Sequence, residues 1–158
     1  MMRKVDNEAY IGVLKELLAD GKQVSLAVTG SSMEPFLTGG RDQVLLVPVK
    51  RSLKKGDLVL FQRENGAYVL HRILRVTSEG CILIGDGQQE TEGPIQRERI
   101  LGVAELALRN GESISEGSFW WGFFEKIWIR MIPLRPVVRK FYGVWHRIRN
   151  GGKHENQE

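Results

Sequence analysis

The sequence predicts a mainly antiparallel β domain with one N-terminal helix and a C-terminal amphipathic helical tail. Three observations carry that expectation. Short β-rich runs follow one another between turn signals containing Gly, Asn and Asp. Glycine is frequent at 18 residues and proline sparse at 5, which suits a strand-and-turn chain. Aromatic residues and charge are unevenly placed. Of the 13 aromatics, 9 fall after residue 118, including all four tryptophans. Residues 1–118 hold 15 basic and 16 acidic side chains, and residues 119–158 hold 8 and 3. The chain therefore divides into a near-neutral body, 1–118, and a basic aromatic tail, 119–158.

Each element has its own reason. Residues 6–20 read as a helix, with Asp6 or Asn7 as cap, Ile11, Leu14, Leu17 and Leu18 at helical spacing, and Gly21 as the stop. Residues 24–28 form a strand running into the turn Gly30-Ser31-Ser32-Met33-Glu34-Pro35. Residues 37–42 turn again, and 43–49 are β-rich, with Pro48 marking an edge or a strand end. Residues 50–57 are a polar connection. Residues 58–62 and 68–76 pair across the hairpin signal Asn65-Gly66. Residues 81–84 are a strand closed by Gly85-Asp86-Gly87, 88–99 read as polar loop, and 100–108 are the last strand before Asn110-Gly111.

The tail carries two apolar stripes. A helical wheel over 120–131 puts Trp120, Trp121, Phe124, Ile127, Trp128 and Met131 on one side, against Glu125, Lys126 and Arg130. Pro133 and Pro136 interrupt it. Val137, Val138, Phe141, Val144, Trp145 and Ile148 then face away from Arg139, Lys140, Arg147 and Arg149. Aromatics opposite Lys and Arg are the pattern of a helix lying in an anionic membrane interface, here over residues 119–149, with Trp120, Trp121, Trp128 and Trp145 as its anchors. A helical pair packed on the body and a dimer surface are the competing uses of the same pattern. Nucleic acid is not expected as a partner, because the basic side chains are not gathered on the body.

Some classes are disfavoured. The one cysteine, Cys81, lies in the apolar run 81–84 and reads as a buried, inert thiol, so nothing indicates secretion. The first ten residues are too charged for a signal-peptide core, and no run of 18 apolar residues predicts a membrane span.

The chemistry centres on Ser32. Gly30 and Pro35 shape a turn that can hold one hydroxyl rigidly at a strand end, as a serine nucleophile requires. Taken alone, that turn is as well read as an ordinary one. A serine needs a base, and the body offers one histidine, His71, mid-strand on the side shared with Val69 and Ile73; His146 and His154 are in the tail. A carboxylate would orient the imidazole, and Asp86, Glu90 and Glu92 are candidates. The plainer readings are a hairpin histidine with an ordinary hydrogen bond and a turn aspartate bonding its own backbone.

Four blocks, in order, resemble the superfamily of signal peptidase I and LexA-type serine peptidases. They are Gly30-Ser31-Ser32-Met33-Glu34-Pro35; Lys55-Gly56-Asp57-Leu58-Val59-Leu60-Phe61; Tyr68-Val69-Leu70-His71-Arg72-Ile73; and Ile84-Gly85-Asp86-Gly87 with the later Leu101-Gly102-Val103. The resemblance covers about residues 24–108. It implies a coiled, largely antiparallel β domain with a shallow groove for an extended peptide. It implies Ser32 as nucleophile and His71 as base, at a position where most bacterial members carry lysine and the endoplasmic-reticulum and archaeal type carries histidine. Arg72 stays protonated and cannot be the base. The acidic positions of the last motif fall on Asp86 and Glu92, and both stay open. Where some relatives supply an oxyanion hydroxyl this chain has Gly30, so the hole rests on the Ser32 amide, helped by the Ser31 hydroxyl.

The expected function is a serine endopeptidase that cuts a leader or precursor peptide, cytoplasmic and peripheral on the inner face of the cell membrane. No cofactor and no metal are implied. This chain lacks the N-terminal membrane anchor of true signal peptidases, and its small body leaves little room for a second β domain. It looks like the short stand-alone proteins of the superfamily. A non-catalytic peptide-binding module on the same fold is the alternative. A LexA-like self-cleaving repressor is disfavoured, because no DNA-binding domain precedes the body.

Overall fold

The computed structural model describes residues 4–151, with side chains for 9–145 and 147–149. His154 and the side chains of Asp6, Asn7 and His146 lie outside the described residues. The first helix, α1 (Lys4–Ala19), begins before the expected cap, so Asp6 and Asn7 are inside it. It buries Ile11, Leu14 and Leu18 at helical spacing. It stops where Gly21, at φ +81, lets the Gly21 and Lys22 amides turn back onto Leu18 and Leu17.

Eight strands follow: β1 (Val24–Ala27), β2 (Gln43–Val47), β3 (Leu58–Gln62), β4 (Tyr68–Thr77), β5 (Gly80–Ile84), β6 (Glu92–Ile95), β7 (Ile100–Arg109) and β8 (Glu112–Ser115). They form one antiparallel sheet in the order β1-β2-β7-β3-β4-β5-β6, with β8 paired to β7. The mainly β expectation holds, but two strands are additions to it. The expected loop at 88–99 contains β6, whose Gly93-Pro94 hides it from any alternation reading. The Asn110-Gly111 turn, at φ 51 and 83, closes a hairpin onto β8, where only Ile114 is buried.

The sheet has two apolar sides, and β3 shows both. Leu58 and Leu60 face a core built with α1, with Met33, Phe36 and Leu37 from the Ser32 turn, and with Trp121, Phe124 and Trp128. Val59 and Phe61 face a second core of Val47, Ile73, Cys81, Leu83, Ile100 and Val103. That second core is made from strands and the start of β7 alone, so the sheet curls over it. Register shifts at Leu45/Leu46, Leu60/Phe61, Ile73/Arg75 and Cys81/Leu83 supply the bends. Cys81 is buried in this core, and burial pushes its thiol pKa up.

The C-terminal segment is not one amphipathic helix. A short turn of helix, α2 (Phe119–Gly122), passes into a π turn at 123–127 and 3-10 turns at 128–130 and 132–134. The tighter and wider turns rotate the face that meets the body. Trp121, Phe124, Trp128 and Ile129 are buried, while Trp120 and Ile127 are exposed. Trp121 and Trp128 are therefore core residues and cannot be membrane anchors; here the apolar side of the wheel packs on the body. Glu125, expected on the polar side, is buried against Gly56 and accepts a 2.8 Å bond from Lys54 Nζ. The last helix, α3 (Arg135–Gly151), starts with Pro136 in its first turn, where a missing amide costs nothing. Among the described residues, no helix is long and apolar enough to cross a membrane.

Candidate active site

The Ser32 turn is fastened at both ends. At its base, Asp42 is buried and accepts from the amides of Thr38 (2.7 Å) and Asn110 (2.9 Å) and from the Arg41 guanidinium. Burial is the largest single influence and acts upward, but the donors together outweigh it and hold the carboxyl below its usual range. At its tip, Gly87 donates its amide to the Ser32 carbonyl at 2.9 Å. Met33, Phe36 and Leu37 anchor the turn in the first core. Ser32 itself is half-buried and Ser31 exposed. Gly30 takes φ +71, and Gly39 packs against its backbone so closely that a Cβ there would lie 2.3 Å from the Gly30 oxygen.

The sheet register brings His71 to this turn. β4 and β5 pair Arg72 with Ile84, which places His71, the residue before Arg72, at the end of β5 where Gly85 begins the turn. Gly85 is where the Ser32 carbonyl rests, since a Cβ on it would lie 2.4 Å from that oxygen. Glu92 reaches the same place from β6. It pairs with Leu83, which pairs with Ile73, and His71 shares a face with Ile73 two residues away.

The two candidate carboxylates have different environments. Asp86 is fully buried and grips Arg72 through both oxygens at 2.9 Å. Arg72 also donates to the Gly56 carbonyl at 2.9 Å and lies over the Phe36 ring. Both Asp86 oxygens are engaged by Arg72, which ties the Gly85–Gly87 turn to β4. Glu92 is the carboxylate that faces the imidazole, with Oε1 3.4 Å from Nδ1. Its oxygens are also held by Nε and Nη2 of Arg63. Glu90 is exposed.

His71 is 2% exposed and packs 5.8 Å, centroid to centroid, from the Phe61 ring. Neither imidazole nitrogen makes a hydrogen bond, so the Ser32 hydroxyl and His71 are not joined by one here. Burial is the largest influence on the ring and pushes its pKa down to about 4; Glu92 acts upward, Arg63 downward and Asp86 upward. The ring is neutral at pH 7. With Glu92 on the Nδ1 side, Nε2 is the nitrogen left to accept a proton. Within the turn and among the described residues, the Ser32 amide has no backbone acceptor.

Three residues around the site carried no sequence signal. Arg63 meets Glu92 29 positions away, and Arg135 and Arg139 reach the Gly85–Gln88 turn from α3. Such contacts come from the fold and not from spacing. The chain matches no family model, no curated protein and no solved structure.

Proposed function

We propose that the chain is a serine endopeptidase of the kind signal peptidase I resembles, cutting a leader or precursor peptide. The observation that carries this reading is the buried, neutral His71 facing Glu92 at one turn of the sheet with Ser32. Ser32 Oγ attacks the scissile carbonyl, and His71 takes its proton and returns it to the leaving amine. Water then hydrolyses the acyl-enzyme by the same route. Glu92 holds the Nδ1 tautomer and stabilises the imidazolium as it forms. The Ser32 amide binds the oxyanion, helped by the Ser31 hydroxyl; a donor of this kind is worth about 3 kcal/mol at the transition state.

The enzyme works as a peripheral protein on the inner face of the cell membrane, on precursors made in the cytoplasm. What supports the membrane surface is the apolar stripe of α3, where Val137, Phe141, Val144, Trp145 and Ile148 are all exposed. That stripe runs beside Arg139, Lys140, Arg147 and Arg149.

A second reading is a peptide-binding module on the same fold, and the unbonded imidazole nitrogens favour it. Catalytic hydrogen bonds often tighten only when substrate is bound, so this geometry is compatible with both. Replacing His71 by Ala separates them. For the enzyme, a peptide cut by the parent chain keeps its affinity for the variant and is no longer cut. Cleavage that continues unchanged removes His71 from the mechanism. A parent chain that binds peptides and cuts none is the module.

A further inference from the structure

We propose, building on the reading of the Ser32 site above, that α3 is a membrane-seated positioning arm. Its apolar face lies on an anionic bilayer, and Arg135 and Arg139 at its start hold the turn on which Ser32 rests.

The arginines make the connection. Arg135 is fully buried, and its Nη1 donates to the Gly85 and Gln88 carbonyls, both at 2.8 Å, while Nη2 donates to Trp128 O at 3.3 Å. Arg139 Nη1 donates to Gly87 O at 2.7 Å. Among the described residues neither guanidinium pairs with a carboxylate. Burying the Arg135 cation costs desolvation energy, and its Nε has no partner, so what its bonds to main-chain carbonyls supply is position. They fix the carbonyls of the same turn whose Gly87 amide holds the Ser32 carbonyl. A depression of about 340 Å³ lined by Gly87–Glu90, Arg135, Pro136 and Arg139 leaves that turn room to shift when the arginines withdraw.

Beyond Arg139, α3 buries little side chain. From residue 140 on, every described side chain is exposed. Phe141 is 72% exposed and Ile148 71%. A helix of 17 residues with Gly143 and several valines is marginal in water without tertiary packing. A bilayer that binds only its helical form shifts α3 towards the state in which Arg135 and Arg139 are placed. Charge selects the bilayer. Residues 126–151 contain no acid, and besides the two arginines that hold the turn α3 carries Lys140, Arg147 and Arg149. Anionic headgroups complement that helix, whereas a second copy of it is repelled.

Hydrogen exchange of the full chain over residues 85–88 tests this without needing a substrate. The Gly87 and Gln88 amides, bonded to Ser32 O and Gly85 O, report the turn. Vesicles containing phosphatidylglycerol should carry the protein in flotation and slow this exchange about tenfold, while pure phosphatidylcholine should do neither. The double variant Phe141→Asp, Trp145→Asp should lose both effects. Arg139→Gln should still float and lose the slowing, with Arg139→Lys recovering part of it. Flotation with exchange at 85–88 unchanged would overturn the positioning role. Slowing that survives in the double variant would do the same. A dimer that needs Phe141 and Trp145, with no flotation, would overturn the bilayer as occupant. The readout is independent of turnover, so coupling without peptide cleavage counts against the peptidase alone. Cleavage without coupling counts against the arm alone.

Discussion

His71 is neutral at pH 7 because burial outweighs the attraction of Glu92. The sign of its pH dependence follows. Its pKa falls from 6.5 to about 4 on folding, so acid protonates the unfolded chain first. Its contribution to stability is complete above pH 6.5 and is lost as the pH falls through about 4. In the proposed mechanism His71 acts as its basic form, so the acid limb of kcat/KM should lie near 4, well below the ordinary histidine value. Arg63→Gln removes a cation that holds the ring down and should move that limb to higher pH, as a pH–rate series would read. The two carboxylates should also separate. Glu92→Gln should keep the fold and lose roughly a hundredfold or more in kcat. Asp86→Asn leaves the Arg72 charge buried without its partner and should cost about 3–5 kcal/mol in a denaturant titration. Equal activity loss in two equally stable variants would contradict this division. Gly85→Ala drives a Cβ into the Ser32 carbonyl and should lower kcat far more than its cost in stability, about 1–3 kcal/mol, accounts for.

Strands β2, β3, β4, β5 and β7 were legible because each has an apolar run bounded by turn residues, and the body sheet needs those runs buried. β6 was not, since its Leu83–Glu92 and Cys81–Ile95 pairs belong to an irregular edge with a Gly-Pro inside it. β8 had a signal in Asn110-Gly111, but only one buried residue to confirm it. The wheel put Trp121, Phe124 and Trp128 on one side and they are buried together, but it could not show that the body covers that side; the π and 3-10 turns leave Trp120 and Ile127 outside it. Trp128 also donates its indole N–H to Asp86 O at 2.7 Å, which ties the segment to the site. Trp128→Ala should therefore cost about 3–5 kcal/mol by thermal unfolding; a loss under 1 kcal/mol would show that the segment is not part of the core. Within the site, the sequence made Ser32, His71, Asp86 and Glu92 visible as residue types but not which acid serves His71. The proposed choice of Glu92 rests on Arg72 pairing with Asp86 and on Glu92 facing His71, contacts no spacing encodes.

Across the molecule, two cores on opposite faces of one curled sheet hold the parts of the site. The first core carries the Ser32 turn and the aromatic residues of the C-terminal segment, and the second carries the His71 face of β4. The chain beyond residue 118 is therefore part of what builds the site as far as Arg139, and the later part of α3 presents an uncovered apolar face. The most direct test is mass spectrometry of a diverse peptide pool incubated with the full chain beside phosphatidylglycerol vesicles, in parallel with Ser32→Ala. New peptide termini made by the parent and absent with the variant are the expected result, and the residues flanking them would define the substrate class. The same termini from Ser32→Ala, or none from folded parent protein, would contradict the assignment of Ser32 as the nucleophile of a peptidase.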